Sequence, residues 1–198
     1  MNESPKNAAG ARPDQPAASR RHDVSNDVVV RDSTEGDLER ITEIFNQAIP
    51  AGNAEWTERL HTVDDRRSWR TDRLASDRPV FVAERDGDVI GVASYGDFRD
   101  STCREGFRFT AEHSVYLDDA ARGSGAADLL MDAVEDHARA HGIRMMLATI
   151  DGTNAASLRF HLRRGYVETG RLPAVGHTFG VWRDFVILQL DLGHELSD

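Results

Sequence analysis

Cysteine occurs once in these 198 residues, at Cys103, and lysine once, at Lys6. A single thiol forms no intrachain disulfide and builds no cysteine-rich metal site, so no metal is expected. Cys103 lies among Asp100, Ser101 and Thr102 in an expected loop and reads as a plain thiol rather than a nucleophile. No apolar run approaches the roughly 20 residues that span a bilayer, and the N-terminus carries no apolar signal core. The expectation is a cytoplasmic protein that does not enter a membrane. Positive charge is also short: the net charge is −10, which argues against a general nucleic-acid binder. Lysine-poor acidity suits a salt-loving source or a GC-rich genome, and composition does not separate the two.

What the chain does have is one ordinary domain. Residues 1–26 hold Pro, Ala, Asn, Ser and Arg with few large apolar side chains, too little to offset ordering entropy, and predict a disordered tail. Residues 27–198 then predict a single α/β domain, with 39% hydrophobic residues in the whole chain. Val28–Arg31 reads as a strand. Thr34, with Asp37 three residues on, caps a helix that buries Leu38, Ile41, Ile44, Phe45 and Ala48. Pro50-Ala51-Gly52 breaks it, and a second helix covers Val63–Ala75. Val80–Glu84 and Val89–Tyr95 flank an Asp86-Gly87 turn as a hairpin. A polar loop over 96–105, a strand from Phe107 to Leu117, a helix closed by Gly142, and a strand Met145–Ile150 follow. A helix Asn154–Arg164 ended by Gly165, and strands Tyr166–Gly170 and Asp184–Leu190, complete the pattern.

The most informative stretch links the strand ending at Leu117 to the next helix through Arg122-Gly123-Ser124-Gly125-Ala126-Ala127. This turn has almost no side chains. A helix start leaves amides without partners and carries partial positive charge, so a diphosphate can be held on backbone N–H groups alone. Gly123 and Gly125 admit positive φ and close approach, Ala126 and Ala127 let the helix pack beneath, and Arg122 adds a cation. The helix buries Ala127, Leu130 or Met131, Val134 and Ala138. Asp128, Asp132, Glu135, Asp136 and Arg139 are assigned to its outer face.

Arg-x-x-Gly-x-Ala between a strand and a helix resembles the acetyl-CoA pyrophosphate loop of the GCN5-related N-acetyltransferases. Three further stretches sharpen the likeness: Thr110–Tyr116, Asn154-Ala155-Ala156-Ser157 running on to Tyr166, and Gly170-Arg171-Leu172 through Gly176, Phe179-Gly180 and Trp182. Together they resemble the phosphinothricin and methionine sulfoximine acetyltransferase branch, over residues from about 28 to 192. The resemblance implies a mixed sheet of about seven strands with four main helices. It also implies that the strands ending near Leu117 and Ile150 splay to receive the pantetheine arm of acetyl-CoA. Homodimers are expected, acting on a small-molecule amine.

It further implies roles for single residues. An ammonium must lose a proton before it attacks a thioester, and Glu112 occupies the proposed general-base position; the alternative is a salt-bridged strand glutamate. His161 matches a catalytic or orienting histidine, or is simply a packed helix residue. His113 points to the sheet face opposite Glu112. A backbone N–H among Val115, Tyr116 and Leu117 would face the carbonyl oxygen as it gains charge. Ser114, Asp128, Asn154 and Ser157 join the expected cofactor contacts, Asn154 serving also as an N-cap. Trp56, Gly106, Phe107 and Arg108 are expected around the amine, with Arg108 facing a substrate carboxylate or else lying on the surface.

Two departures bear on that amine. Where the branch commonly has Gly-Phe-Lys-Phe-Gly-x-Trp, this chain reads Gly176-His177-Thr178-Phe179-Gly180-Val181-Trp182, without the lysine, and the 96–105 loop carries Asp97, Asp100 and Glu105. Other readings are a non-catalytic acyl-CoA-binding module and an acetyltransferase for a protein N-terminus or an aminoglycoside. A dinucleotide-binding dehydrogenase is disfavoured, because the turn lacks the third glycine of that fingerprint.

Overall fold

The computed structural model describes residues 28–99 and 102–193, so the expected tail lies outside the described residues. Seven strands form one mixed sheet in the order β1-β2-β3-β4-β5-β7-β6. In chain order these are β1 Val29–Asp32, β2 Val80–Arg85, β3 Asp88–Asp97, β4 Thr110–Leu117, β5 Met145–Asp151, β6 Val167–Thr178 and β7 Val181–Asp191. The main helices are α1 Leu38–Ala48, α2 Val63–Ala75, α3 Ala126–Ala140 and α4 Ala155–Arg163.

Local chemistry accounts for most of the element ends. Thr34 and Asp37 form a reciprocal capping box, followed by a single 3-10 turn before α1. The same Asp37 carboxylate accepts from both terminal nitrogens of Arg31, at 2.8 and 2.9 Å, tying β1 to the helix start. Asp86 (φ 56°) and Gly87 (φ 88°) make the tight β2–β3 turn. The helices close the core from both faces: Ile41, Ile44 and Phe45 of α1 pack on β2 and β3, and Leu130, Met131, Val134 and Ala138 of α3 pack on the other side.

Two expectations are corrected. Glu135, assigned to the outer face of α3, is only 6% exposed, because Arg164 at the end of α4 lies over that flank and pairs with Asp132 at 2.7 Å and Glu135 at 3.1 Å. The last two strands are far longer than expected. β6 and β7 form a hairpin over Val167–Asp191, turned by Phe179 (φ 49°) and Gly180 (φ 73°). Its bulges at Glu168/Gly170 and Leu172/Gly176, with Ala174 at φ 52°, destroy the two-residue alternation that marks a strand in sequence. A smaller shift concerns β3, which continues through Gly96 to Asp97, and β4, which starts at Thr110 after a 3-10 turn over Glu105–Phe107.

The site depends on one feature of the sheet. β4 and β5 run parallel and pair only at Thr110/Met145, Ala111/Met146 and Glu112/Leu147. Beyond that point β4 stays paired with β3 to Leu117 and β5 with β7 to Asp151, so the two half-sheets part while each keeps its outer partner.

Arg31 holds the Asp37 carboxyl at a pKa of about 2, against 3.8 for a free aspartate. A depressed carboxylate stabilises the fold above its unfolded pKa, and the contribution disappears as pH falls from about 4 to about 2. Asp37→Asn is therefore expected to cost about 2 kcal/mol at pH 7 by urea unfolding, with the gap to wild type closing at pH 3 and below.

Candidate active site

The parted strands open a cavity of about 600 Å³ that continues to the start of α3. At that end Gly123 (φ 80°) and Gly125 (φ 85°) take left-handed backbone angles that the sequence anticipated. A Cβ on either would meet nothing within 4 Å, so the requirement is backbone angle and room for a ligand, not protein packing. The amides of Ser124 and Ala126 bond locally, to the Ala121 carbonyl and the Ser124 hydroxyl. Those of Gly123, Gly125 and Ala127 find no acceptor among the described residues. Arg122 borders the opening with its guanidinium 2.7 Å from Asp119.

Twelve of the residues singled out in sequence line this one cavity: Trp56, Glu112, Ser114, Val115, Tyr116, Leu117, Arg122, Gly123, Ala127, Asn154, Ser157 and His161. Ser124 and Gly125 shape the turn, Ala126 is fully buried beneath it, and Asp128 turns to Arg164 at 3.3 Å. Gly106, Phe107 and Arg108 do not border the cavity. Phe107 packs on Phe98, and Arg108 lies over the Phe109 ring while donating to the Glu105 carbonyl.

Glu112 is the last residue of β4 to pair with β5, which puts its carboxylate at the fork. The Thr149 hydroxyl of β5 donates to its Oε1, and no sequence motif had marked that threonine. His113 faces the other way. It is buried and stacks on His161 at 5.0 Å, with Tyr166 edge-on to both rings. Burial, reinforced by the neighbouring imidazole, holds His113 well below the usual histidine range. His161 is lowered chiefly by burial, which outweighs the Ser157 carbonyl; its Nδ1 donates to that carbonyl at 2.8 Å. In this neutral tautomer its buried Nε2, without a partner among the described residues, is an acceptor.

The opposite wall comes from the segment between α1 and α2. Tyr116 donates to Glu55 at 2.5 Å, and the other Glu55 oxygen meets His61 at 3.2 Å. Asn46 clamps the His61 backbone from both sides, so Asn53, Ala54, Glu55 and Trp56 are held against β4. Burial and the adjacent Glu55 charge push the Tyr116 hydroxyl well above its usual value, so it remains a donor. Trp56 packs edge-on to Phe185, and its ring fills the space where Gly176 lacks a side chain: a Cβ there would lie 2.5 Å from the indole. Asn154 caps α4 by accepting from Ser157 at 3.1 Å and donates to the Asn53 carbonyl at 3.2 Å.

A row of unpaired amides leading into a slot between parted strands fits a diphosphate with a long amide-bearing tail. Residues 38–166 match the model of the acetyltransferase (GNAT) family. An L-methionine sulfoximine/L-methionine sulfone acetyltransferase of Pseudomonas aeruginosa is 41% identical over 164 residues, which cover 82% of this chain and 94% of that protein. A phosphinothricin N-acetyltransferase of Alcaligenes faecalis is 34% identical over 83% of this chain and 81% of its own length. Among solved structures, a GNAT superfamily phosphinothricin acetyltransferase from Sinorhizobium meliloti in complex with AcCoA superposes with a TM-score of 0.79, at 31% identity. That match covers 84% of this chain and 89% of that one. The parted strands, the glycine turn and these matches agree: this chain belongs to the GNAT family and is an acetyl-CoA-dependent N-acetyltransferase.

Proposed function

We propose that the protein acetylates the primary amine of a small amino-acid-like substrate of the methionine sulfoximine or phosphinothricin type, with Glu112 as general base. The observation that carries this reading is the position of the Glu112 carboxylate, at the fork where β4 leaves β5 and on the wall of the large cavity. The names of the relatives support the substrate class.

In this reading the amides of Gly123, Gly125 and Ala127, with Arg122, take the diphosphate, and the facing edges of β4 and β5 take the amide-bearing arm. Bound there, acetyl-CoA supplies a thioester carbonyl at the fork. Glu112 accepts a proton from the substrate ammonium, directly or through a water, and frees the lone pair for attack; as the C–N bond forms the thioester C–S bond would break, the thiol leaving with the second proton of the amine. Thr149 orients that carboxylate. A backbone N–H of Val115 or Leu117, alternating with the amides that face β3, stabilises the charge that grows on the carbonyl oxygen. His161, neutral and with Nε2 open, orients the reacting end by accepting a hydrogen bond. Trp56 and Phe185 wall the amine side.

A cytoplasmic homodimer completes the proposal. The β6–β7 hairpin leaves Val175, Phe179, Val181 and Trp182 between 47 and 65% exposed, an apolar edge that a second copy would cover.

Two outcomes test the site. Glu112→Gln is expected to lower kcat for methionine sulfoximine by about 10²- to 10³-fold while leaving acetyl-CoA affinity within a factor of about two, measured by thiol release and calorimetry. Full turnover in that variant removes Glu112 from the mechanism. Gly176→Ala must displace the Trp56 ring. It is expected to cost about 1–3 kcal/mol in thermal or urea unfolding and to raise the amine KM more than that of acetyl-CoA.

A further inference from the structure

Beside the large cavity lies a second one of about 140 Å³, lined by Arg73, Gly96, Asp97, Glu112, His113 and Ser114. Arg73 comes from the last turns of α2, a helix in which the sequence marked no functional residue. Its guanidinium lies against Gly96, which pairs directly with Glu112 across β3 and β4. A Cβ on Gly96 would come within 1.8 Å of Nη1 and 2.5 Å of Cζ, so glycine at this position is what admits the arginine head.

Several arginines of the fold have carboxylate partners, and on α2 itself Arg70 bonds to Ser33 and Arg66 to His61. Arg78 bonds to Asp97 at 2.9 Å, Arg31 to Asp37 and Glu84, and Arg40 to Glu43 and Asp118. Arg73 makes no ion pair within 4 Å among the described residues, and its buried Nε has no hydrogen-bond partner. Burial lowers its pKa, with the more distant Asp97 and Glu112 charges opposing, yet a guanidinium does not deprotonate in a protein. A half-buried fork of donors in a cavity calls for a planar anion.

We infer that Arg73 is the residue that seats the α-carboxylate of the substrate, with Gly96 making room for it. The inference rests on the proposed role of Glu112. An amino-acid head carries its ammonium and carboxylate on one carbon; of the two carboxylates in this small cavity Asp97 is bonded by Arg78, which leaves Glu112 and Arg73 to face them. The substrate carboxylate bonds to Arg73 while the ammonium lies beside Glu112. Selectivity for free amino acids over amines without a carboxylate follows from this pair. The structure thus gives Arg73 the task that the sequence had suggested for Arg108.

The test compares L-methionine sulfoximine with its methyl ester and with the corresponding decarboxylated amine, in wild type, Arg73→Met, Arg73→Lys and Gly96→Ala. For the free acid, Arg73→Met is expected to raise KM by about 10- to 100-fold, with kcat changed far less and the acetyl-CoA KM unchanged. For the ester and the amine it changes little, so the preference for the acid collapses towards unity. Arg73→Lys restores part of that preference. Gly96→Ala, which leaves the arginine in the chain but displaces its head, reproduces Arg73→Met. Thermal unfolding identifies any variant that fails to fold, and the remaining variants then decide. Equal losses on acid and ester, or no change on either, overturn the assignment to Arg73 while leaving Glu112 as base. A wild type that acetylates none of the three overturns both.

Discussion

Everything at the active centre follows from the failure of two parallel strands to stay paired. In a closed sheet every backbone amide is consumed by its neighbour, and a bound chain has nothing to hold. Here pairing between β4 and β5 ends at Glu112 and Leu147, and each strand is kept straight beyond that point by its outer partner. The gap is therefore a rigid slot rather than a frayed edge. Its polar lining is backbone, which suits an arm of repeating amides. The positive end of α3 and its glycine turn border the same cavity, and they are the proposed seat of the diphosphate.

Placing a carboxylate at this fork costs desolvation unless it has a partner. Glu112 is bonded by Thr149 and lies near Arg73, while the imidazoles of His113 and His161 stack together on the other face of the sheet as neutral groups. The charged groups belong to the face covered by α2 and the uncharged donors and acceptors to the face covered by α4. That separation suits an enzyme that must admit an ammonium on one side and a thioester on the other. The wall between α1 and α2 is held by a chain of contacts from Tyr116 through Glu55 to His61 and Arg66, ending with the Arg66 guanidinium over Phe45.

The parts of this arrangement that were legible in the sequence share a short range of causes. The glycines of the turn, the capping residues Thr34 and Asn154, and the Asp86-Gly87 hairpin each act through angles and bonds within a few residues. The stripes on α1 and α3 came through because burial repeats with the helix. The same reasoning put Glu135 on the wrong face, since Arg164, 29 positions later, covers it. β6 and β7 were expected only in part, over 166–170 and 184–190, because bulges in β6 and the exposed end of the hairpin erase alternation over the rest. Thr149 and Arg73 were invisible for a different reason: neither has a local signature, and each matters only through what lies across from it.

Local residue chemistry was thus enough to define the elements, the amide-lined turn and the carboxylate on the central strand, because each is specified by steric and hydrogen-bonding preferences acting over a few positions. Tertiary packing decided where the strands part, which arginine stands beside Glu112, and that Trp56 closes the slot against Gly176. Those outcomes depend on contacts between residues tens of positions apart, and only the three-dimensional chain brings them within bonding distance.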